Sequence, residues 1–276
     1  MARETRAAYG PVPHGLDGVA IEPGFRLFAQ GQFLLRCESG YGYHYVPGAG
    51  VTIERPQDGD PDEETLWLYG SVYSAIACLN GFYPLHASAV ALDGKVHAFT
   101  GPSGAGKSTL VAGLGQRGVP MFCDDTLLLD LSDPARVVAL PGHKRLKLTP
   151  RALALTGTAA QQPVGAETGK SYVAPPAGDV RQPLPLASLT FLEEGQVCEW
   201  QTIRGAERFA RLADDHYTQD LYREAVRPDR DMQFALRARL ASQVDMARLA
   251  RPFSDEGFAA SLDMAAAMLG DGGKGD

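Results

Sequence analysis

Gly101-Pro-Ser-Gly-Ala-Gly-Lys-Ser-Thr109 is the stretch of this sequence with the strongest structural signature. It fits the pattern G-x-x-x-x-G-K-[ST] at every required position. An apolar run from Lys95 to Thr100 comes directly before it, and a helical pattern from Ser108 to Gln116 comes directly after. A glycine-rich loop between a strand and a helix is typical of the phosphate-binding loops of α/β proteins. We therefore predict an α/β fold built around this loop.

The residue types of this loop suit a bound triphosphate. Gly104 and Gly106 let the backbone curl, so that its N–H groups converge on phosphate oxygens at the start of a helix. Lys107 is expected to reach the β- and γ-phosphates, Ser108 to bind Mg²⁺, and Thr109 to support the helix start. The residues predicted to bind the nucleotide are Gly101, Ser103, Gly104, Ala105, Gly106, Lys107, Ser108 and Thr109.

Composition excludes several other classes of protein. The formal net charge is −7 and the pI is near 5.4, which gives no basic excess for binding nucleic acid. No stretch approaches the roughly 18 apolar residues of a membrane-spanning helix, and no apolar signal core follows the N-terminus. The four cysteines form no Cys-x-x-Cys pair, which indicates reduced thiols rather than a zinc site or disulfides. We expect a cytoplasmic protein with no membrane or nucleic-acid partner.

The chain divides by pattern into two parts. Residues 1–80 predict an N-terminal accessory unit of short strands, followed by a buried helix that ends near Gly81. The polar segment Gln57–Glu64 predicts an exposed loop before that helix. Residues 81–276 predict a core with C-terminal helices, although one continuous globule stays open as an alternative.

Within the core, a hairpin and a βαβ unit are expected around the loop. Asp93-Gly94 joins the apolar runs His86–Leu92 and Lys95–Thr100, which is a strong signal for a type I′ turn. Val119–Cys123 predicts the buried strand that completes the βαβ unit beside the loop strand.

The remaining patterns predict strands and helices with long connections. Leu186–Glu193 predicts a strand, with Val197–Ile203 as its hairpin partner, and Phe258–Leu269 predicts a helix. Residues 151–183 are rich in Ala, Gly, Pro and Gln, which favours flexible loops around a short helix.

Two acidic residues and a histidine are the candidate catalytic groups. Asp124 and Asp125 end the strand Val119–Cys123, where one carboxylate can bind magnesium and the other can orient or deprotonate an attacking hydroxyl. A solvated acidic turn is the alternative for this pair. His86 opens the strand that pairs with the loop strand, so it is expected near the loop, although a structural histidine stays open.

These residues and their spacing resemble the catalytic core of HPr kinase/phosphorylase and its bacterial relatives. The likeness lies in His86-Ala-Ser-Ala-Val90, in the loop 101–109 and in Cys123-Asp-Asp125, and it covers about residues 81–150. The resemblance implies a P-loop kinase core of the HPr kinase/PEP carboxykinase type, a mixed sheet with flanking helices. Relatives in this family form oligomers, so the resemblance also leaves a homo-oligomer as a possible state of this protein.

Carried over residue by residue, the resemblance gives each candidate a role. It implies that Asp124 is the general base on a serine hydroxyl, that Asp125 either binds Mg²⁺ together with Ser108 or orients the reacting groups, and that His86 is a partner of the aspartates. The chain has no counterpart of Leu-Glu-Val-Arg-Gly-Leu-Gly-Ile, the signature of the bifunctional enzymes, which argues against phosphorylase activity and against HPr as substrate.

The segment after the aspartates is similar to that of shorter HPr-kinase-like proteins, including those encoded with lasso-peptide biosynthesis. Here the segment is Leu140-Pro-Gly-His-Lys-Arg-Leu-Lys-Leu148. Its cations Lys144, Arg145 and Lys147 either neutralise the transferring phosphate, with Arg145 as a nucleotide contact, or form a solvated strand face. Lys170 is a weaker candidate for the same role.

The leading hypothesis is an ATP- and Mg²⁺-dependent kinase that phosphorylates a hydroxyl. The acceptor is predicted to be a serine of a peptide or small protein, such as a lasso-peptide precursor, and the catalytic residues to be Asp124, His86, Lys107 and Asp125. A kinase for free serine or a sugar-like alcohol is the second hypothesis. A nucleotide-binding regulatory protein without catalysis is the third.

Overall fold

The computed structural model describes residues 6–164, 168–212 and 217–271. In this part of the chain, helices pack against several β-sheets to form a mixed α/β fold. No helix in these ranges is both long enough and apolar enough to cross a bilayer.

A five-stranded sheet forms the N-terminal part of the fold. The first seven strands are β1 (Ala7–Tyr9), β2 (Gly15–Leu16), β3 (Val19–Ala20), β4 (Arg26–Ala29), β5 (Gln32–Arg36), β6 (Gly42–Val46) and β7 (Gly50–Glu54). The sheet order is β1-β7-β6-β5-β4, and β2 and β3 form a separate pair. The prediction of short strands before residue 55 agrees with these elements.

A helical segment with a π-helical turn follows the sheet. It comprises α1 (Pro61–Trp67), the π turn Leu68–Val72, and α2 (Tyr73–Leu79). The expectation of an exposed loop over Gln57–Glu64 is therefore wrong for its second half. Asp60 caps the helix by accepting a hydrogen bond from the Asp62 N–H, and Pro61 occupies the first turn, where its missing N–H costs nothing.

The core contains a nine-stranded sheet around the glycine-rich loop. Its nine strands are β8 (Tyr83–Leu85), β9 (Ala87–Leu92), β10 (Lys95–Thr100), β11 (Met121–Cys123), β12 (Leu127–Asp130), β13 (Val138–Leu140), β17 (Leu184–Glu194), β18 (Glu199–Thr202) and β19 (Asp245–Arg251). Helix α3 (Lys107–Gln116) follows β10 in the chain. The predicted hairpin is present as β9 and β10, joined by Asp93 and Gly94 with φ of 49° and 69°.

Strand order in this sheet differs from the predicted βαβ unit. β11 pairs with β9 and not with β10, so the hairpin strand β9 lies between the loop strand and the strand before Asp124. The reason is the hairpin itself, because β9 occupies the edge of β10 that a simple βαβ unit would offer. Asp124 therefore reaches the loop from two strands away.

On its other edge, β10 pairs in parallel with β17, which pairs in parallel with β19. The prediction that residues 197–203 form a hairpin with β17 is wrong, because β18 pairs with β19. β19 is a central strand that no sequence pattern indicated. Since β10, β17 and β19 are parallel, their carboxyl ends lie at one edge of the sheet.

Smaller elements complete the described chain. A three-stranded sheet of order β14-β16-β15 consists of β14 (Leu146–Leu148), β15 (Gln162–Pro163) and β16 (Ser171–Val173). The five remaining helices are α4 (Pro150–Thr156), α5 (Ala206–Arg211), α6 (Tyr217–Val226), α7 (Arg230–Gln243) and α8 (Asp255–Asp271). Residues 151–183 thus contain strands as well as the expected short helix. The sequence Asp214-Asp215-His216, which helical periodicity assigns to a helix surface rather than to a second metal site, falls outside the described residues.

The N-terminal part and the core share buried contacts. Leu221 of α6 is fully buried within the cluster formed by the N-terminal sheet and the helices after it, which includes Phe33 and Ile76. Arg26 of β4 also forms a two-bonded ion pair with Glu224 of α6, at 2.7 and 2.8 Å. The domain boundary near residue 80 remains a prediction.

Candidate functional site

The glycine-rich loop joins the end of β10 to the start of α3 and lies at the carboxyl edge of the parallel strands. Gly101, Gly104 and Gly106 have φ of 146°, 85° and 88°, values that L side chains rarely adopt. A Cβ atom on Gly101 would lie 2.7 Å from the Leu192 carbonyl oxygen of β17. The glycines are therefore required by the backbone path, which leads into the positive end of α3.

Lys107 lies buried at the first position of α3. Its Nζ donates to the carbonyl oxygens of Gly101 and Pro102, at 2.9 and 3.1 Å. Burial lowers the pKa of Lys107 to about 8, although Asp124 and Asp125 favour its charged form. The ammonium group thus faces the concave side of the loop at close range.

Asp124 is buried and connects the loop to the neighbouring strands. Its Oδ1 accepts hydrogen bonds from the hydroxyls of Ser108 and Ser88, at 2.7 and 2.6 Å, and its Oδ2 accepts one from the Lys147 N–H at 3.0 Å. Ser108 belongs to the loop motif, whereas Ser88 belongs to β9. The intervening strand therefore supplies a hydroxyl that holds Asp124 against Ser108.

Asp125 lies beside Asp124 and carries a different set of partners. Its carboxylate lies 3.0 Å from the Lys147 Nζ and 3.6 Å from the His86 Nδ1, and its carbonyl oxygen lies 2.9 Å from the same Nδ1. Burial alone would raise the pKa of Asp125, but the charges of Lys147 and His86 bring it below its usual value. Its φ of 73° is unusual for a residue with a side chain.

The cations after the aspartates do not form one solvated strand face. Lys147 pairs with Asp125, whereas Lys144 donates to the carbonyl oxygens of Phe122 and Val180. Arg145 lies over the ring of Tyr172, 5.3 Å from its centroid. Only Lys147 therefore contacts the aspartates directly, and its pKa is raised mainly by Asp125, against the effect of burial.

A wide cavity of about 820 Å³ opens close to the segment that carries the aspartates, although neither Asp124 nor Asp125 lines it. Gly142 forms part of its wall and packs against this site, since a Cβ atom there would lie 2.9 Å from the Cys123 Cβ and 3.1 Å from the Thr126 carbonyl oxygen. Arg145 and His143 also line it, and His143 stacks with Tyr69 of the π turn at 5.0 Å. π-helical turns are frequent at functional sites.

On the opposite flank of the loop lies Arg251, the last residue of β19. It is 5% exposed, and its Nη2 donates to the Ala105 carbonyl oxygen at 3.0 Å. A Cβ atom on Gly106 would lie 2.2 Å from this Nη2, so the glycine is needed for the guanidinium to approach. Sequence reasoning missed Arg251, because its strand was not recognised and no motif surrounds it.

The residues predicted from the sequence thus converge around one loop. Ser108, Asp124, Asp125 and His86 are linked by short contacts, whereas Ser103 is exposed on the loop surface and Arg145 lies on the cavity wall. No group of three or more His, Cys, Asp or Glu side chains with metal-binding geometry occurs in the part of the chain that the structure describes. Magnesium is usually held by one or two protein oxygens together with substrate phosphates, and the Ser108 hydroxyl and Asp124 carboxylate fit that donor set.

Similarity to known proteins is found among solved structures. No family model and no curated protein matches the chain. Among solved structures, the chain is similar to the HPr(Ser) kinase/phosphatase from Coxiella burnetii, with 12% identity and a TM-score of 0.33, over 68% of this chain and 98% of that chain. A likeness this distant assigns neither a family nor an activity to this chain.

Proposed function

We propose that this protein is an ATP-dependent kinase that transfers the γ-phosphoryl group to a hydroxyl, with Mg²⁺ as cofactor. The observation that carries this proposal is the hydrogen bond from Ser108 of the glycine-rich loop to Asp124, which is followed in the chain by a second carboxylate, Asp125. A loop that only bound phosphate would need Lys107 and Ser108, whereas a phosphoryl transferase also needs a carboxylate beside the acceptor.

The proposed division of roles between the aspartates follows from their contacts. Asp124 lies on Ser108, is buried, and has both oxygens engaged, so it is the carboxylate better placed to hold Mg²⁺. Asp125 is more exposed, with 32% of its side chain accessible, and can receive an acceptor hydroxyl. This is the reverse of the assignment that the family resemblance implies, and the two assignments make different predictions.

In the proposed reaction, Lys107 and the backbone N–H groups of the loop hold the triphosphate in place. Mg²⁺, when bound, neutralises charge on the β- and γ-phosphates. Asp125 orients the acceptor hydroxyl and receives its proton as the new O–P bond forms and the bond to the departing ADP breaks. His86 and Lys147 fix Asp125, and its lowered pKa suits a transfer in which positioning contributes more than basicity.

The acceptor is proposed to be a serine of a peptide or small protein. The wide cavity near the aspartate segment, which neither aspartate lines, has about 820 Å³, and this volume falls in the upper part of the roughly 300–1,000 Å³ range of sites for drug-sized ligands. This space exceeds what a free serine requires, which favours a peptide over the small-molecule acceptor. A lasso-peptide precursor remains one candidate within that class.

The proposal is tested by incubating the protein with Mg²⁺, γ-labelled ATP and a library of serine-containing peptides, in parallel with free serine and simple sugars. Transfer of label to peptides, lost in Lys107→Ala, is the expected result. Label on free serine or sugar alone would support the small-molecule kinase instead. Tight ATP binding with no transfer to any acceptor would favour the regulatory alternative.

A further inference from the structure

A second cavity lies on the flank of the loop that faces away from the aspartates. It has a volume of about 190 Å³, and its lining includes Gly106, Thr109, Arg151, Arg251, Phe253 and Phe258. Loop, helix α4 and the segment after β19 thus meet around it. A water molecule occupies about 30 Å³ of the liquid, so the cavity can accept a group of several heavy atoms.

The position of this cavity relates it to the phosphate loop. The loop follows β10 and the segment Pro252–Ser254 follows β19, and these strands run parallel within one sheet. Ligands of α/β sheets bind outside the carboxyl ends of such strands. Consecutive residues of α3 face the two flanks, since Ser108 donates to Asp124 whereas Thr109 lines the cavity. A ligand that follows the loop from Ser108 past Thr109 would enter this cavity.

The walls combine aromatic and apolar side chains with two arginines, Arg151 and Arg251, which favours an aromatic group that carries no positive charge. Phe253 is 42% exposed at the rim, Phe258 lies at the base, and Ala152 and Leu155 of α4 form an apolar side. None of the described residues that line the cavity is acidic. No general base is therefore available there for an acceptor hydroxyl, and the cavity does not suit the second substrate of a kinase.

Arg251 provides an independent indication of a ligand. Its guanidinium is buried, and its Nε has no hydrogen-bond partner among the described residues. A buried N–H group without a partner costs free energy, which a bound acceptor atom would recover. Arg251 lines the cavity and also contacts the loop, so its guanidinium lies between the phosphate loop and the cavity.

We propose that this cavity binds the nucleoside part of the nucleotide whose phosphates occupy the loop. The inference rests on the nucleotide binding in the proposed function and adds its orientation. The base packs between Phe253 and the apolar side of α4, the ribose end lies near Arg251, and the terminal phosphate points to Ser108 and Asp124. The volume is below the roughly 300 Å³ of a complete ligand site, as expected for a cavity that holds only part of a ligand.

Comparing ATP with inorganic tripolyphosphate, each with Mg²⁺, tests this proposal by calorimetry, because the two ligands share phosphates and differ in the nucleoside. In Phe253→Ala, ATP should bind at least about fivefold more weakly, the lower end of the effect of removing a base–aromatic stack. Tripolyphosphate should bind within about twofold of wild type. Leu155→Trp, which fills the cavity, should have the same selective effect.

Phe25→Ala is the matched control, because Phe25 is 63% exposed and lies in the N-terminal part of the fold. Retained tripolyphosphate binding shows that each variant is folded around the loop. Equal loss of both ligands, unchanged ATP binding in both variants, or wild-type protein that binds tripolyphosphate as tightly as ATP would overturn the proposal. Wild-type protein that binds neither ligand would refute the proposed function itself.

Discussion

The two flanks of the phosphate loop are built from different kinds of contact. On one flank, Asp124 and Asp125 are held by hydroxyls, an ammonium group and an imidazole from three segments. On the other flank, one guanidinium from a distant strand contacts the loop backbone beside aromatic rings. Under the two proposals above, this difference corresponds to a division of labour, in which the first flank performs chemistry on the terminal phosphate and the second recognises the rest of the ligand.

The largest expected effect comes from removing the charges of the first flank one at a time. Asp125→Asn should slow transfer to the acceptor peptide by about 10²–10⁴-fold, the usual contribution of a positioned acid–base group, with little change in ATP affinity. Asp124→Asn should instead raise the Mg²⁺ concentration required for half-maximal transfer. Single-turnover rates with labelled ATP, measured across a Mg²⁺ titration, separate the two effects.

Asp58→Asn is the control for these variants, because Asp58 is exposed in the segment between β7 and α1. If the Mg²⁺ requirement changes in Asp125→Asn and not in Asp124→Asn, the roles are those implied by the family resemblance. Near wild-type transfer in Asp125→Asn would remove Asp125 from the reaction.

The second comparison uses two loop glycines with nearly the same backbone conformation. Gly104 and Gly106 have φ of 85° and 88°, but an added Cβ would meet none of the described residues at Gly104 and the Arg251 Nη2 at Gly106. Gly104→Ala should cost about 1–2 kcal/mol of unfolding free energy, the strain of a left-handed residue. Gly106→Ala should cost more, because Arg251 must also give up its bond to Ala105.

Chemical denaturation of both variants measures this difference, and Gly104→Ala serves as the control for backbone strain. The double variant Gly106→Ala with Arg251→Ala should show a smaller added cost than the sum of the single changes, since the clash is gone. Equal costs for the two glycine variants would mean that Arg251 moves without penalty, and the second flank would then not be a rigid part of the site.

The two flanks also differ in how far the sequence predicts them. The loop and the hairpin before it are local patterns, so residues within a few positions of each other are sufficient to indicate them. Asp124 and Asp125 follow an apolar run at a short distance from the loop, which made them candidates. Their mutual roles could not be predicted, because they depend on Ser88 of β9 and Lys147 of β14, which reach the aspartates through tertiary contacts.

Arg251 had no comparable signal in the sequence. Its strand, β19, is defined by parallel pairing with β17, more than fifty residues earlier in the chain, and Arg248 and Arg251 interrupt its apolar pattern. The π turn Leu68–Val72 was likewise unpredictable, because helical periodicity continues across it. Functional groups were therefore predictable where they neighbour a motif, and were missed where only the sheet brings them to it.

The smallest expected effect concerns Lys107, which lies between the flanks. Its pKa of about 8 in the free protein is low because the ammonium group is buried, whereas bound phosphates would keep it charged. Binding above pH 8 must then include proton uptake by Lys107, so affinity for Mg²⁺-tripolyphosphate should fall as pH rises, by at most about tenfold per pH unit. Below pH 8 this contribution is constant, because the residue is already protonated.

Calorimetry between pH 7 and 9.5 measures the slope, and Lys107→Arg is the control, since its guanidinium stays charged throughout. The same slope in both proteins would assign the pH dependence to another group, and no slope in either would mean that Lys107 binds phosphate equally well in its uncharged form.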